Sequence, residues 1–389
     1  MTKTTKATPT ADDLDSAPTR LYSLDALRGF DMFWIIGAEE IFHTMDAATN
    51  HQSAFWSALS LQFTHPDWNG FHAYDLIFPL FLFMAGVSTP FSVGRELEKG
   101  KSRGQLLLRV VKRTLFLILL GLFVNNGLKI QPIADIRFPS VLGRIGIAYM
   151  IANIIYLYAK DWAQIFWFWF FIVGYYLLLK FTSAPGFHPG DLTPAGNFAS
   201  FVDRTILPGK LYVPYPGTKI NMHDPEGLFS TIPAISTGLL GIWAGTILKK
   251  RSLEPKKKVA WLSGIGIVFL ILALIWNFDF PINKNLWSSS FVLLVGGISL
   301  LLISLFYYII DVLGYKKWAF FFKVIGMNSI LIYISSHFIK WTYTNTSLFG
   351  WLGQLAGKPY GAVIMAATFV LVKWLFLRYL YEKKTFLRV

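Results

Sequence analysis

The chain has 389 residues and a formal net charge of +14. Its residues are 54% hydrophobic and only 15% charged, and its mean hydropathy is +0.48, which excludes a soluble globular domain of ordinary type. The chain has no cysteine, which excludes disulfides, cysteine zinc sites and a cysteine nucleophile. The basic residues lie in short loops between apolar segments, so the charge indicates orientation in a membrane rather than binding to nucleic acid.

Apolar runs of about 20 residues recur along the chain, and each is long enough to cross a bilayer as a helix. We therefore predict an all-α polytopic membrane protein, a bundle of about ten transmembrane helices with both termini in the cytoplasm. Residues 1–20 predict a flexible cytoplasmic tail, and residues 21–389 a single transmembrane domain with a long extracytoplasmic loop at 182–227. The predicted spans are 24–42, 75–93, 106–125, 140–159, 162–181, 228–248, 259–276, 288–310, one that begins near 324, and 360–380.

The first predicted span carries charged residues, which are costly in lipid and usually face the bundle interior or a wet cavity. At about 100° per residue, Asp25 and Asp31 lie on either side of Arg28. Glu39 returns to nearly the same angle. These four side chains predict a polar face that runs along the helix. A set of internal ion pairs that orients the helix is the alternative.

A polar loop between the first two spans contains His65 and Asn69 and ends at Asp75, where the next apolar run begins. No Lys or Arg occurs from residue 43 to residue 74, so this loop is predicted outside and the basic cluster after the second span inside. Imidazole exchanges protons near neutral pH and can act as a nucleophile, which makes His65 the candidate catalytic residue. A loop histidine bonded to backbone is the alternative. The basic cluster orients the chain or binds phosphate, and comprises Arg95, Lys99, Lys101, Arg103, Arg109, Lys112 and Arg113.

Further polar positions lie inside predicted spans. Arg144 is well inside the fourth span, where an unpaired guanidinium is untenable, so it needs an acidic partner or an anionic ligand. Ser329, Tyr333 and His337 are spaced i, i+4, i+8 in the ninth span and predict one polar stripe. Hydrogen bonding between helices is the alternative for such residues. The 182–227 loop has a length that usually binds a ligand or forms a lid.

Seven short sequences occur in order along the chain: SLDALRG from Ser23, HPDWNG from His65, DLIFP from Asp75, RFPSVLGRI from Arg137, DPEG from Asp224, NKNLW from Asn283 and GMNSILIY from Gly326. Together they resemble the heparan-α-glucosaminide N-acetyltransferase family and its bacterial relatives. The resemblance covers nearly the whole chain from the first of these sequences onwards. The ordered set is specific, although each sequence alone is a weak signal.

The resemblance implies an enzyme that takes acetyl from cytosolic acetyl-CoA and places it on the amine of a terminal glucosamine at the other face of the membrane. It implies that His65 is the active-site histidine and that Asp25 and Arg28 belong to the first-helix signature. Glu39 stands where an asparagine is expected in the lysosomal members, a departure that concerns the acceptor or the proton transfer. The other signatures contain Arg144, Lys284, Asn285 and Asn328.

Because the chain lacks the N-terminal luminal region and the extra span of the human-type members, the resemblance implies a multi-pass protein of the bacterial inner membrane. A homodimer is plausible from the family. Acetyl-CoA is expected to enter from the cytoplasmic side, and the acceptor is glucosamine or a glucosamine-terminated glycan. His65 then accepts the acetyl group or acts as a general base, while a carboxylate orients the ring and donors stabilise the oxyanion.

The candidate residues fall into three groups, and none is assigned to a metal. Candidate catalytic residues are His65, Asn69, Asp75 and Glu39. Candidate residues for acetyl-CoA are Asp25, Arg28, Arg144, Lys284, Asn285 and Asn328. Candidate residues for the acceptor are Glu226, His337 and Trp68.

Two other functions stay open. The first-helix sequence also resembles membrane O-acyltransferases that modify cell-surface sugars, although their first-helix histidine is expected where Glu39 or Glu40 stands. A transporter of an amino sugar or a proton-coupled solute would equally contain buried Asp, Arg and His. No internal repeat, a sign of many secondary transporters, is visible in the sequence.

Overall fold

The computed structural model describes residues 21–214 and 221–387, and the predicted N-terminal tail lies outside the described residues. Besides helices and loops, these residues contain one short antiparallel pair, β1 (Val213–Pro214) with β2 (Asn221–His223). The α-helices are α1 (Tyr22–Phe33), α2 (Glu39–Ala48), α3 (Ala54–Gln62), α4 (Ile77–Glu98), α5 (Arg103–Asn126), α6 (Val141–Tyr158), α7 (Asp161–Phe181), α8 (Phe198–Ile206), α9 (Thr231–Lys249), α10 (Pro255–Trp276), α11 (Ser289–Phe306), α12 (Ala319–Met327), α13 (Ser329–Ser335), α14 (Trp341–Ala356) and α15 (Tyr360–Glu382).

Seven helical segments within the described ranges are long and apolar enough to cross a membrane. They coincide with seven of the predicted spans and confirm an all-α polytopic membrane fold. The third predicted span corresponds to α5, whose four basic residues keep it outside this set. The count of ten and the sidedness of the termini stay predictions. The segments are Ala73–Glu98, Val141–Tyr158, Asp161–Phe181, Thr231–Lys249, Pro255–Trp276, Ser289–Val312 and Tyr360–Glu382.

The first predicted span is broken between α1 and α2 by a π-helical turn that contains Gly37. Gly37 has φ +121°, a backbone conformation that side chains with a Cβ rarely adopt. Lys373 of α15 donates to the carbonyl oxygen of Ile36 in this turn at 2.9 Å, which satisfies backbone exposed by the break. The continuous polar face predicted from Asp25 to Glu39 is therefore wrong, because the helix on which it was drawn is interrupted.

The ninth predicted span is broken as well. Asn328, at φ −129° and ψ 32°, separates α12 from α13. α13 ends at Ser335, and the turn that follows carries an exposed His337. The predicted stripe of Ser329, Tyr333 and His337 is therefore wrong at its last member, because only the first two share a helix. α14 follows in a stretch for which no span was predicted.

Glycines bring the helices that carry the polar residues close together. Where α4 packs on α9, a Cβ at Gly86 would lie 2.3 Å from the carbonyl oxygen of Gly238. Where α1 packs on α12, a Cβ at Gly29 would lie 1.6 Å from the carbonyl oxygen of Phe322. Neither position tolerates a side chain, so the backbones approach closely, as small residues permit in membrane helices. α1 and α4 both contribute residues to the cavities described next.

Candidate active site

His65 is held by a buried carboxylate just before α4. Its Nδ1 lies 2.7 Å from Oδ1 of Asp75, whose side chain is 1% exposed. Oδ2 of the same carboxylate accepts a hydrogen bond from the backbone N–H of His72 at 2.9 Å. Since the carboxylate accepts, Nδ1 of the neutral ring carries the proton, and Nε2 is left as the basic nitrogen. This is the geometry of a histidine oriented by a carboxylate.

Lys284 lies over the ring of His65. Its Nζ is 3.2 Å from Nε2 and 3.3 Å from Nδ1, and 3.3 Å from Oδ1 of Asp75. The amine is thus nearly equidistant from both ring nitrogens. At this distance it must lie over the ring face, because an amine in the ring plane would clash with the Cε1 atom between the two nitrogens. The lone pair of Nε2, which lies in the ring plane, is therefore not blocked by the amine. Burial lowers the pKa of Lys284, and the negative charges of Asp75 and Glu226 oppose that shift.

A cavity of about 160 Å³, here called the histidine cavity, is lined by both His65 and Lys284. Its other walls come from α1, the π-helical turn that follows it, α4, α6 and α13, and they are mostly apolar. Two tyrosines also line it, and the ring of Tyr74 lies 5.1 Å from that of His65. The second is Tyr333. An apolar space with a base and an amine at one edge suits a small acyl group.

A second cavity of about 470 Å³, here called the arginine cavity, shares Phe81 and Ile330 with the histidine cavity. Arg28 of α1 lines it and donates to Oγ of Ser88 of α4 at 2.9 Å. Arg113 of α5 lines it too, and its Nε is buried with no hydrogen-bond partner among the described residues. A basic cavity thus backs onto the apolar one, with only two hydrophobic side chains common to both walls.

The basic surroundings extend beyond the arginine cavity. A neighbouring cavity of about 420 Å³ is lined by Arg109 and Lys112 and shares Arg113 and Ser92 with the arginine cavity. These guanidinium and ammonium groups form a concentration of positive charge on one side of the bundle. Such a group of donors suits a ligand with several phosphates.

Asn69 joins the loop of His65 to the link that carries Lys284. The side-chain amide of Asn283 donates to Oδ1 of Asn69 at 3.0 Å, and Gly70 N–H donates to the carbonyl oxygen of Ile282 at 2.8 Å. Asn283 is fully buried. The distance between His65 and Lys284 is therefore set by paired loops rather than by one continuous helix.

Trp68 joins the same loop to the long 182–227 segment. Its Nε1 donates to the carbonyl oxygen of Leu192 at 2.9 Å, and its ring lies 4.9 Å from that of His223. Burial lowers the pKa of His223 to about 3, so the ring is neutral. Its Nδ1 pairs with the hydroxyl of Ser200 at 2.7 Å. Trp68 is thus placed between two loops, beside the histidine cavity rather than in its wall.

Glu226 belongs to a buried charge cluster near the start of α9. Arg137 donates to both oxygens of Asp224 at 2.7 Å each and also pairs with Glu226. Burial raises the pKa of Glu226, whereas the cation of Arg137 acts against that shift. Arg144 donates to the carbonyl oxygen of Gly227 at 3.0 Å. Its other direct contacts are the hydroxyl of Ser230 and the face of Trp287, and its Nε and Nη1 are buried with no hydrogen-bond partner among the described residues.

The structure separates the other predicted residues from His65. Asp25 lines the arginine cavity, 3.5 Å from Arg28. Asn328 binds the C-terminal segment, donating to Thr385 O at 2.9 Å and accepting from Leu387 N–H at 3.0 Å. Lys284, grouped by sequence with the donor-binding residues, lies instead at the imidazole, with half-buried Asn285 beside it in the chain.

Glu39 and His337 do not line the histidine cavity. The charge of Glu39 acts on Tyr74, which lines that cavity, and on Lys373. His337 is in the exposed turn described above. Tyr74 was not predicted from the sequence as a site residue, although its position directly before Asp75 could have indicated that it lies near the site. Arg113 was noted only within the basic cluster.

Comparison with known proteins gives two results. Residues 20–194 match the family described as a domain of unknown function, DUF5009. The chain is also 28% identical to human heparan-α-glucosaminide N-acetyltransferase over 97% of its own length and 61% of the relative's. The mouse protein of the same name is 28% identical over 84% of the chain and 56% of the relative. The chain is thus homologous to these proteins, as the sequence resemblance predicted, and spans about three fifths of their length.

Proposed function

We propose that this homologue of heparan-α-glucosaminide N-acetyltransferase is a membrane-bound acetyltransferase that moves acetyl from acetyl-CoA to the amine of glucosamine or of a glucosamine-terminated glycan. The observation that carries the proposal is the contact of His65 with Asp75 on the wall of an apolar cavity that backs onto a basic one. The homology supports the same reaction class. The charge of its loops supports a location of His65 on the outer side of the membrane.

The donor occupies the arginine cavity in this proposal. The phosphates of acetyl-CoA bind the basic groups of Arg28, Arg113 and Lys112. The thioester end then points towards Phe81 and Ile330, which line both cavities. These two side chains must move to admit the acetyl group to the histidine cavity. Aromatic and aliphatic side chains can do so by changing rotamer without breaking a hydrogen bond.

The transfer itself uses His65 and Lys284. Nε2 of His65 removes a proton from the acceptor amine as its nitrogen attacks the thioester carbonyl, or first takes the acetyl group itself. The ammonium of Lys284 lies close enough to stabilise the developing oxyanion. The new carbon–nitrogen bond forms and the carbon–sulfur bond breaks. The proton reaches the CoA thiolate, so the products are the N-acetylated amine and free CoA.

The direct test is acetylation of glucosamine by the purified full-length chain. We expect N-acetylglucosamine and free CoA to form in equal amounts with the native protein. The His65→Ala variant should form neither, while binding acetyl-CoA as before. His51→Ala is the matched control, since His51 also pairs with a carboxylate, Asp46 at 2.8 Å, but does not line the histidine cavity. No acetylation of any amino sugar by the native protein would contradict the proposal.

A transporter of an amino sugar is the second candidate, and one observation favours it. The helices around Gly37 and Asn328 are broken between apolar segments, as in many secondary transporters. Counterflow of glucosamine in vesicles separates the two functions. Solute exchange that survives His65→Ala and needs no acetyl-CoA supports the transporter. Transfer to a sugar hydroxyl instead of an amine would indicate the O-acyltransferase alternative.

A further inference from the structure

The active site already contains an amine of its own. Nζ of Lys284 is 3.2 Å from Nε2 of His65, over the face of the ring, so a small shift of the amine towards the ring plane brings it into line with the lone pair of that base. Both residues line the histidine cavity. The Lys284 side chain is 18% exposed, so the amine is largely confined to this position. An amine held beside the base and the acyl cavity satisfies the geometric requirement for an acetyl acceptor.

We propose that Lys284 is a self-acetylation site, which takes the acetyl group from acetyl-CoA when no external amine is present. The inference rests on the proposed function, because it needs acetyl-CoA to reach the histidine cavity. The nitrogen of neutral Lys284 attacks the thioester carbonyl, the carbon–nitrogen bond forms, and the carbon–sulfur bond breaks. Sulfur leaves as thiolate with the bonding electron pair. The proton lost by nitrogen passes through Nε2 of His65 to that thiolate, which gives free CoA and Nε-acetyl-Lys284.

The groups around Lys284 determine the fraction of its amine that is neutral and therefore reactive. Asp75 and Glu226 favour the ammonium form, whereas burial and the cation of Arg144 favour the neutral amine. His65 lies against it as the base. Only the neutral form attacks a thioester, so self-acetylation is expected to accelerate as pH rises. The ammonium form, which assists transfer to external amines, does not react.

Acetylation would remove the activity that produced it. The amide cannot carry the positive charge that Lys284 places beside His65, and it adds an acetyl group to a cavity of only about 160 Å³. An amide is also far less reactive than a thioester or an acyl-imidazole, so the acetyl group stays on Lys284. The enzyme therefore stays active while acceptor is available, and it is silenced when acetyl-CoA is present alone.

The test is peptide mass spectrometry of the full-length protein after incubation with isotope-labelled acetyl-CoA, with and without glucosamine. The same preparation is assayed for glucosamine acetylation. We expect label on Lys284 that is stable to hydroxylamine, is suppressed by glucosamine and is absent from His65→Ala. Lys180 is the internal control, because its exposed amine is bound to Asp279 at 2.6 Å. Label on Lys284 should exceed that on Lys180 by about tenfold or more, as a positioned amine requires.

The outcomes separate this inference from the proposed function. Transfer to glucosamine without label on Lys284 overturns self-acetylation alone. Label on Lys284 no greater than on Lys180 also overturns it, since that is ordinary chemical acetylation. Neither transfer nor label overturns both proposals. Lys284→Arg should lose the label. In the native protein, the loss of glucosamine acetylation during preincubation with acetyl-CoA alone should follow the extent of label on Lys284, and activity that stays constant while Lys284 is labelled would contradict the silencing.

Discussion

The side-chain amide of Asn283 donates to Oδ1 of Asn69 at 3.0 Å, and this bond joins the loop of His65 to the link of Lys284. The two functional side chains belong to loops that are more than two hundred residues apart in sequence, so a tertiary contact must bring them together. Their relative position therefore depends on this contact between two amides together with the bond from Gly70 N–H to the carbonyl oxygen of Ile282. That contact is testable without touching either functional side chain.

The Asn69→Ala variant should lower both activity and stability. It leaves the fully buried amide of Asn283 without one acceptor, which costs about 1–3 kcal/mol of unfolding free energy. We expect kcat to fall by about tenfold as His65 and Lys284 lose their fixed separation. Thermal unfolding in detergent and steady-state kinetics measure the two effects. Asn69→Asp, which keeps an oxygen acceptor, should recover most of the stability; equal behaviour of Ala and Asp variants would contradict the account.

The Asp75→Asn variant should remove the orientation of the imidazole. The amide can present its N–H group to Nδ1, which favours the tautomer with the proton on Nε2 and leaves no base facing the cavity. We expect kcat to fall by about 10³–10⁴-fold with little change in KM for acetyl-CoA. Asp46→Asn alters another His–Asp pair, at His51, and should leave kcat unchanged. A normal kcat in Asp75→Asn would remove His65 from the mechanism.

Arg113→Ala should weaken donor binding and spare the chemistry. A charge-assisted hydrogen bond to phosphate contributes about 1.5–3 kcal/mol, so KM for acetyl-CoA should rise by about tenfold to a hundredfold. We expect kcat at saturating donor to stay within about threefold of the native value, because Arg113 does not line the histidine cavity. Lys257→Ala removes a positive charge paired with Glu254 outside the arginine cavity and should leave KM unchanged. A fall in kcat with constant KM would contradict the assignment of Arg113 to donor binding.

Burial of neutral His223 should make the protein sensitive to acid. Its pKa is lowered from 6.5 to about 3, so the unfolded chain binds a proton below 6.5 that the folded chain does not. The stability that this group contributes is complete above 6.5 and is lost as pH falls towards about 3, by about 2 kcal/mol at about pH 5. His223→Gln, which cannot titrate, should flatten the fall of the unfolding temperature between these pH values. An identical pH dependence of variant and native protein would show that His223 does not cause it.

Local sequence was sufficient where the chemistry is local. His65 and Asp75 are ten residues apart, and the change from a polar loop to an apolar run at Asp75 predicted that both lie at a membrane boundary. Lys284 could be recognised only by its motif, because its position over the imidazole results from packing between distant loops. For the same reason, the sequence grouped it with Arg28, which lines a different cavity.

The breaks at Gly37 and Asn328 were not predicted, because both residues lie inside apolar runs that read as continuous helices. The partner that stabilises the first break, Lys373, comes from the last long helix. Tertiary contacts of this kind override local periodicity. They also explain why the prediction of one continuous polar face from Asp25 to Glu39 was wrong.

The most direct test of the central claim is transfer across a sealed membrane. Purified protein is reconstituted in vesicles of known orientation, with labelled acetyl-CoA on the side of Arg28 and Arg113 and glucosamine on the side of His65. The account predicts labelled N-acetylglucosamine only in the compartment that holds glucosamine, and none with His65→Ala. Product that forms only when both substrates share one compartment, or that forms equally with His65→Ala, would contradict it.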